Sequence, residues 1–184
     1  MTVKLIGICG AKGHGKDTFG GLLNELLKME SRAKVTAFAT PLKEGLSKLF
    51  AVPLNHFNDQ ELKELTLEGY GVSPRYLMTW ANDILKPQFG DAFFVSRMGV
   101  LWEKCKARNM HLIITDVRYE AEAEFIRMRG GHVVHVVDPR KKIEGTKHSS
   151  EEGIPVVFIT YRVVNSSTLE DLREVARVFV NTVL

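Results

Sequence analysis

A chain of 184 residues with 45% hydrophobic and 26% charged side chains has the make-up of one ordinary globular domain, long enough to bury about 70% of its unfolded surface. A net charge of +3 falls short of what a dedicated nucleic-acid binder carries, so small anionic ligands are expected and stable nucleic-acid binding is not. Apolar runs stop well below the ~18 residues of a membrane span, Met1 to Lys4 lead into a strand pattern instead of a signal peptide, and two cysteines without metal-like spacing fit reduced thiols. No membrane association and a cytoplasmic location are therefore expected.

The apolar run over residues 3–9 reads as a buried strand, and residues 16–29 as an amphipathic helix with Leu22, Leu23, Leu26 and Leu27 on one side. Between them lies a glycine-rich turn, Gly10 to Gly15, followed by Lys16, Asp17 and Thr18. Strand, glycine loop and helix in that order can form a phosphate cradle, because loop N–H groups and the helix N-terminus converge on one anion. Lys16 adds a positive charge where β- and γ-phosphates would lie. The strict pattern asks for Ser or Thr directly after the lysine; here Asp17 stands there and Thr18 follows. A glycine-rich turn that merely starts the helix, with Asp17 favouring its dipole, is the simpler reading.

Residues 35–39 are expected to form a second strand, and Thr40 with Pro41 opens a helix to about Phe50. A short helix carrying Lys63 is expected after Asn58 and Asp59. Gly69, Gly71 and Pro74 then break the chain before a helix from Arg75 to about Lys86, closed by Pro87 and Gly90. Residues 92–108 read as a long helix, 111–115 as a third strand ending at Asp116 and Arg118, and 119–129 as a helix stopped by Gly130 and Gly131. A fourth strand over 133–137 leads into a polar stretch, 138–153, of a length that in a compact domain is usually functional or mobile. Residues 156–164 supply a fifth strand, and Ser167 and Thr168 cap a last helix to about Thr182.

Alternating strands and helices, with strands apolar along their length, predict an α/β fold: three layers, a parallel five-stranded sheet with helices on both faces. Ligands in such folds bind beyond the carboxyl ends of the strands. That rule gathers the glycine loop, Lys43, Asp116, Arg118 and the basic loop on one edge. Two phosphate groups brought within reacting distance repel by about 4 kcal/mol per charge pair at 4 Å and an effective dielectric near 20. Lys16 suits one nucleotide; Arg118, Arg75 and Lys43 are candidates for a second phosphate, and Arg140, Lys141, Lys142 and Lys147 could close over both.

Each candidate has a plainer alternative. Asp116 fits Mg²⁺ support or a helix N-cap, and Asp17 fits Mg²⁺ held through water or the helix dipole. Arg75 can be an exposed helix-start residue, and the basic loop a solvated charge run. His148 has no partner that would make it a base, and Trp80, Trp102, Phe93 and Phe94 read as core, with Phe93 or Phe94 a lesser candidate for stacking on a base.

Several blocks together resemble the bacteriophage and bacterial deoxynucleoside monophosphate kinases: GAKGHGKDT at 10–18, ATPLKEGL at 39–46, SPRYLM at 73–78, GDAFFV at 90–95, TDVRYEAEAEFIRMRGG at 115–131, KHSSEEGIP at 147–155 and NSSTLEDL at 165–172. The resemblance runs nearly the whole chain in order, and the GKDT variant and the DVR block are its most specific parts. It implies a P-loop kinase of the nucleoside monophosphate kinase type, moving the γ-phosphoryl of ATP to a deoxynucleoside 5′-monophosphate with Mg²⁺. On this resemblance Ala11, Lys12, Gly13, His14, Gly15, Lys16, Asp17 and Thr18 hold the ATP phosphates, with Asp17 nearest the metal. Asp116, Arg118 and Glu122 belong on it to the monophosphate site, with Phe94 near the base; Lys43 and Arg75 join that site as charge candidates, and Lys16, Asp116 and Arg118 make up the catalytic set. Residues 1–184 are read as a single domain with a mobile monophosphate-binding region at about 40–90 and a lid-like loop at about 138–153. The resemblance leaves a homodimer open. A P-loop kinase for another phosphorylated acceptor, of the dephospho-coenzyme A or phosphomevalonate type, and a nucleotide-binding module without catalysis are the competing readings.

Overall fold

The strand β1 (Leu5–Cys9) is buried along its whole length, as its unbroken run of apolar and small residues requires. In the computed structural model, which describes residues 3–30, 32–90, 92–141 and 154–183, it is the central strand of a sheet. β3 (Met110–Ile114) and β4 (His132–Val137) flank it in parallel, Ile6 lying opposite Ile113 on one side and His132 on the other. β2 (Arg32–Thr36) adds to β3 and β5 (Tyr161–Val164) to β4, giving five parallel strands in the order β2-β3-β1-β4-β5.

Strand alternation sends Ile6 and Ile8 to one face, where α1 (Lys16–Glu30) and α7 (Leu169–Val183) cover them with Phe19, Leu23, Ala176 and Phe179. Burying each large side chain of this kind stabilises the fold by about 1.5–3 kcal/mol. The opposite face carries α6 (Glu120–Met128), which sits so close to β1 that a Cβ at Gly7 would lie 2.3 Å from Ile126 Cδ1 and 2.8 Å from Val117 Cγ2. α5 (Ala92–Ala107) meets α6 on that side through Gly99, whose Cβ position is 3.6 Å from the Phe125 ring. The three-layer expectation holds.

The chain forms two compact units, Met1–Ala37 with Arg97–Leu184, which contains the sheet, and Phe38–Ser96, which is helical. The helical unit is built from α2 (Thr40–Leu49), α3 (Asn55–Asn58), a 3-10 turn (Leu62–Glu64) and α4 (Pro74–Phe89) around Leu46, Val52, Phe57, Leu77 and Ala81. α4 starts where Ser73 Oγ accepts the Tyr76 N–H at 3.2 Å, with Pro74 in the first helical position. No helix among the described residues is long and apolar enough to cross a membrane.

Four local expectations change. β2 lies at Arg32–Thr36 instead of 35–39, because its register against β3 pairs Arg32 with Met110 and Thr36 with Ile114. As an edge strand with one neighbour it carries exposed Arg32 and Lys34, which disguise it. The segment expected to begin the fifth strand is a 3-10 turn, Val156–Phe158, with Val156 and Val157 each 82% exposed; only Tyr161–Val164 pairs with β4. The short helix expected to carry Lys63 is a 3-10 turn, and a helical turn at Asn55–Asn58 precedes it. α4 also runs through Pro87, which lacks an N–H for the Asp83 carbonyl, and ends where the Gly90 N–H bonds Lys86 O at 2.8 Å with φ of 76°.

Candidate active site

Between the end of β1 and the start of α1 the chain turns through Gly10, Gly13 and Gly15, with φ of 138°, 79° and 94°, where side chains are strained. Gly10 also runs against β4: a Cβ there would sit 2.2 Å from the Val136 carbonyl oxygen. Ala11 and Gly15 are half-buried, Lys12, Gly13, Asp17 and Thr18 are exposed, and His14 is buried. The Phe19 N–H donates to Gly15 O at 2.8 Å, starting the α-helical ladder and leaving the N–H groups of the first turn aimed beyond the loop. Lys16 folds back so that Nζ donates to Ala11 O at 2.8 Å.

The Lys16 ammonium is partly desolvated, and burial is the main cause that lowers its pKa. The nearby Arg118 charge acts in the same direction, while Asp17, Cys9 and Asp116 oppose it. Lys16, Arg118 and Asp116 therefore share one electrostatic neighbourhood at the carboxyl edge of β1 and β3. Beneath them burial pushes the Cys9 thiol up to about 11, which keeps it protonated and inert at neutral pH.

The turn after β3 is fixed to the central strand by the Val117 N–H, which donates to Ile8 O at 3.1 Å. Asp116 is half-buried and Arg118 exposed on either side of that anchor. Glu122 lies one turn into α6, and its Oε2 accepts the N–H groups of Arg118 at 2.7 Å and Tyr119 at 3.1 Å. This is the return half of a capping box, a third-position carboxylate satisfying the N-cap backbone. Burial pushes the Glu122 carboxyl up to about 7; Asp116 adds to that, and the two N–H donors and Arg118 pull the other way.

The Asp138 carboxylate, directly after β4, is buried against Arg140, whose hydrogen bonds hold it down at about 2. Asp138 falls in no quoted sequence motif, and Asn165, the residue after β5, only opens the NSSTLEDL block without a role assigned to it. The signal available was position: both are polar residues at the carboxyl ends of parallel strands, as Asp116 is. Arg140, expected to close over phosphates, is instead bonded to Asp138 and to two carbonyls, whereas Lys141 Nζ reaches Gly13 O at 2.6 Å. Lys142, Lys147 and His148 lie outside the described residues.

Lys43, Arg75 and Phe94 belong to the helical unit. Lys43 Nζ donates to Asn58 Oδ1 at 3.2 Å. Arg75 gives Nε and Nη2 to Glu64 Oε1 at 3.0 and 2.9 Å, so the helix-start arginine is paired with an exposed carboxylate. Phe94 is half-buried, edge-on to Phe93 with centroids 5.1 Å apart, and Phe93 stacks on Phe89 at 5.2 Å. Among the described residues no group of three or more His, Cys, Asp or Glu is placed to hold a metal ion. An ion bound mainly through phosphate oxygens and water, as Mg²⁺ usually is, needs only one or two carboxylates, and the exposed Asp17 and half-buried Asp116 fit that requirement.

Comparison with solved structures places the same architecture in P-loop kinases. The dephospho-CoA kinase from Campylobacter jejuni matches 98% of this chain and 96% of its own with a TM-score of 0.55 at 12% identity. The APS kinase of Mycobacterium tuberculosis matches 98% of both chains with a TM-score of 0.52, also at 12% identity. At that identity the likeness concerns the fold. In sequence, a protein of Acanthamoeba polyphaga mimivirus, whose name assigns it provisionally to the deoxynucleotide monophosphate kinases, is 27% identical over 179 residues, covering 91% of each chain. The profile of the deoxynucleotide monophosphate kinase family matches residues 72–175, more than half of the chain, including Arg75, Phe94, Asp116, Arg118 and Glu122. With a P-loop kinase fold beneath it, that match identifies the chain as a phosphotransferase belonging to the deoxynucleotide monophosphate kinase family.

Proposed function

We propose that this kinase transfers the γ-phosphoryl group of ATP to a deoxynucleoside 5′-monophosphate, giving ADP and a deoxynucleoside diphosphate. The observation that carries the reading is the cluster at the carboxyl edge of β1 and β3. There the glycine loop and Lys16 lie within electrostatic reach of Arg118 and Asp116, in a chain of this family. A site in which two cations already oppose each other gains most from a bound anion, which lifts the cost of holding them together.

Phosphoryl transfer requires little covalent chemistry from the protein, so each residue acts by position and charge. The glycine-loop residues Ala11 to Gly15 offer backbone N–H groups to the β- and γ-phosphates, and Lys16 leaves Ala11 O to meet the transferring group. Asp17 and Thr18 stand at the first helical turn, where the exposed Asp17 carboxylate would hold Mg²⁺. That ion, when bound with ATP, neutralises charge on the phosphates. Arg118 receives the acceptor phosphate, and Asp116 orients it or shares the metal. Within the helical unit, Lys43, and Arg75 once released from Glu64, are candidates for a phosphate group, and Phe94 for a base.

The region at about 40–90 serves as the monophosphate-binding region; residues 142–153 of the lid-like loop expected at about 138–153 lie outside the described residues. The substrates are small nucleotides in the cytoplasm rather than nucleic acid or lipid. Coupled detection of ADP with a panel of deoxynucleoside and ribonucleoside monophosphates, dephospho-coenzyme A and phosphomevalonate tests the reading. Acceptor-dependent ADP release with one or more deoxynucleotides is expected, and release with none of them would reject it.

A further inference from the structure

The exits of β1, β4 and β5 are joined by a closed ring of hydrogen bonds that phosphate charge neutralisation does not itself call for. The Asp138 N–H donates to Nδ1 of the buried His14 at 3.1 Å. The Asp138 carboxylate, only 3% exposed, receives the Arg140 guanidinium as a fork, Nε on Oδ1 and Nη2 on Oδ2, both at 2.9 Å, and the Arg140 N–H on Oδ1 at 3.0 Å. The same guanidinium donates through Nη1 to Ser167 O at 3.1 Å and through Nη2 to Asn165 O at 3.3 Å. Asn165 closes the ring: its Nδ2 donates to His14 O at 3.2 Å, and its N–H to Val137 O at 2.8 Å. Gly15 lies inside this closure, since a Cβ there would stand 2.5 Å from Asn165 Nδ2.

Arg140 makes four side-chain hydrogen bonds in this ring, out of the five N–H donors a guanidinium has. Its charge is matched by Asp138, so little of it is left for a phosphate. Each link begins or ends on the glycine loop, the β4 exit or the β5 exit, and the planar fork is what lets one side chain reach four acceptor atoms on three residues in fixed directions. A lysine at the same place carries the charge without the fork.

We propose that Asp138 and Arg140 are positioning residues for the phosphate donor: through His14 and Asn165 they hold the glycine loop in the shape that binds ATP. The inference rests on the reading of that loop as the ATP site. It makes Arg140 an internal brace and assigns it no part in closing over the phosphates.

Titration calorimetry of the full chain with ATP and Mg²⁺ tests this, alongside steady-state kinetics with the best deoxynucleotide acceptor. Arg140→Ala and Asp138→Asn should each weaken ATP binding by about tenfold or more, the loss appearing in Kd and KM for ATP with acceptor KM held within about twofold. Because the two residues act as one unit, the double variant should bind ATP no more weakly than the worse single variant, within about twofold. Arg140→Lys should recover little. Full rescue by lysine, losses that multiply in the double variant, or ATP binding by Arg140→Ala within about twofold of the parent would each overturn the inference. Should Arg140→Ala lose its melting transition, Asn165→Ala, which removes only the donor to His14 O, carries the same expected tenfold loss and the same refutation. A parent chain that fails to bind ATP would instead reject the ATP reading itself, and the inference with it.

Discussion

Glu122 offers a sharp test of how the turn behind Arg118 is built. Its carboxyl is buried on α6 and caps that helix, and burial raises it from an ordinary 4.5 to about 7. In the unfolded chain it loses its proton near 4.5; in the fold it keeps it until about 7. A group raised in this way contributes stability that is fully present below pH 4.5 and is lost as pH rises through 7. At about 1.4 kcal/mol per pH unit the loss comes to about 3 kcal/mol by pH 8. Glu122→Gln keeps an acceptor oxygen for the Arg118 and Tyr119 N–H groups and removes the titration. The four histidines whose pKa burial lowers, His14, His111, His132 and His135, act with the opposite slope, gaining stability as pH rises toward 6.5, so the parent's own profile mixes both signs. The difference between variant and parent cancels them. Urea unfolding at pH 4.5, 6 and 8, read by Trp102 fluorescence in a Trp80→Phe background so that the sheet unit is followed, gives that difference. It should shift in favour of the variant by about 3 kcal/mol from pH 4.5 to pH 8. A difference flat to within about 0.5 kcal/mol would mean that Glu122 ionises like a surface carboxylate and that burial does not govern the turn.

The sheet was legible because its three central strands are mostly apolar, interrupted only by His111, His132 and His135, and its first turn carries a glycine pattern whose chemistry is known. What escaped the sequence were features that depend on partners far along the chain. β2 is displaced because only β3 decides which of its residues pair, and an edge strand tolerates Arg32 and Lys34 that a central strand would not. Val156 and Val157 look like strand yet stand exposed, since β5 starts only where β4 offers partners. The candidate site divides in the same way. Lys16 and Arg118 announce themselves by spacing and motif. Asp138 and Asn165 do not, because their significance comes from His14, over a hundred residues distant, and from an arginine that a count of local charge would assign to solvent or to phosphate.

Three other outcomes are expected. Lys16→Ala should lower turnover by about 100-fold or more, as loss of a transition-state charge contact does, while urea unfolding stays close to the parent; near-normal turnover would make the loop structural only. Gly10→Ala should destabilise the chain by about 1–3 kcal/mol, because a methyl group cannot fit 2.2 Å from Val136 O at φ of 138° without moving the loop off β4; thermal melting reads it, and an unchanged Tm would contradict the packing. Arg118→Ala should raise the KM for the monophosphate acceptor with little change for ATP, and unchanged acceptor kinetics would remove Arg118 from that half of the site.

The central claim is that the charge cluster at the ends of β1 and β3 passes phosphate between two nucleotides. Acceptor-dependent ADP formation by the purified chain, with ATP and Mg²⁺ present and each deoxynucleoside monophosphate offered in turn, addresses it directly. Turnover with at least one deoxynucleoside monophosphate, lowered about 100-fold or more by Lys16→Ala, is the predicted result. ATP consumption that no deoxynucleotide accelerates would contradict it.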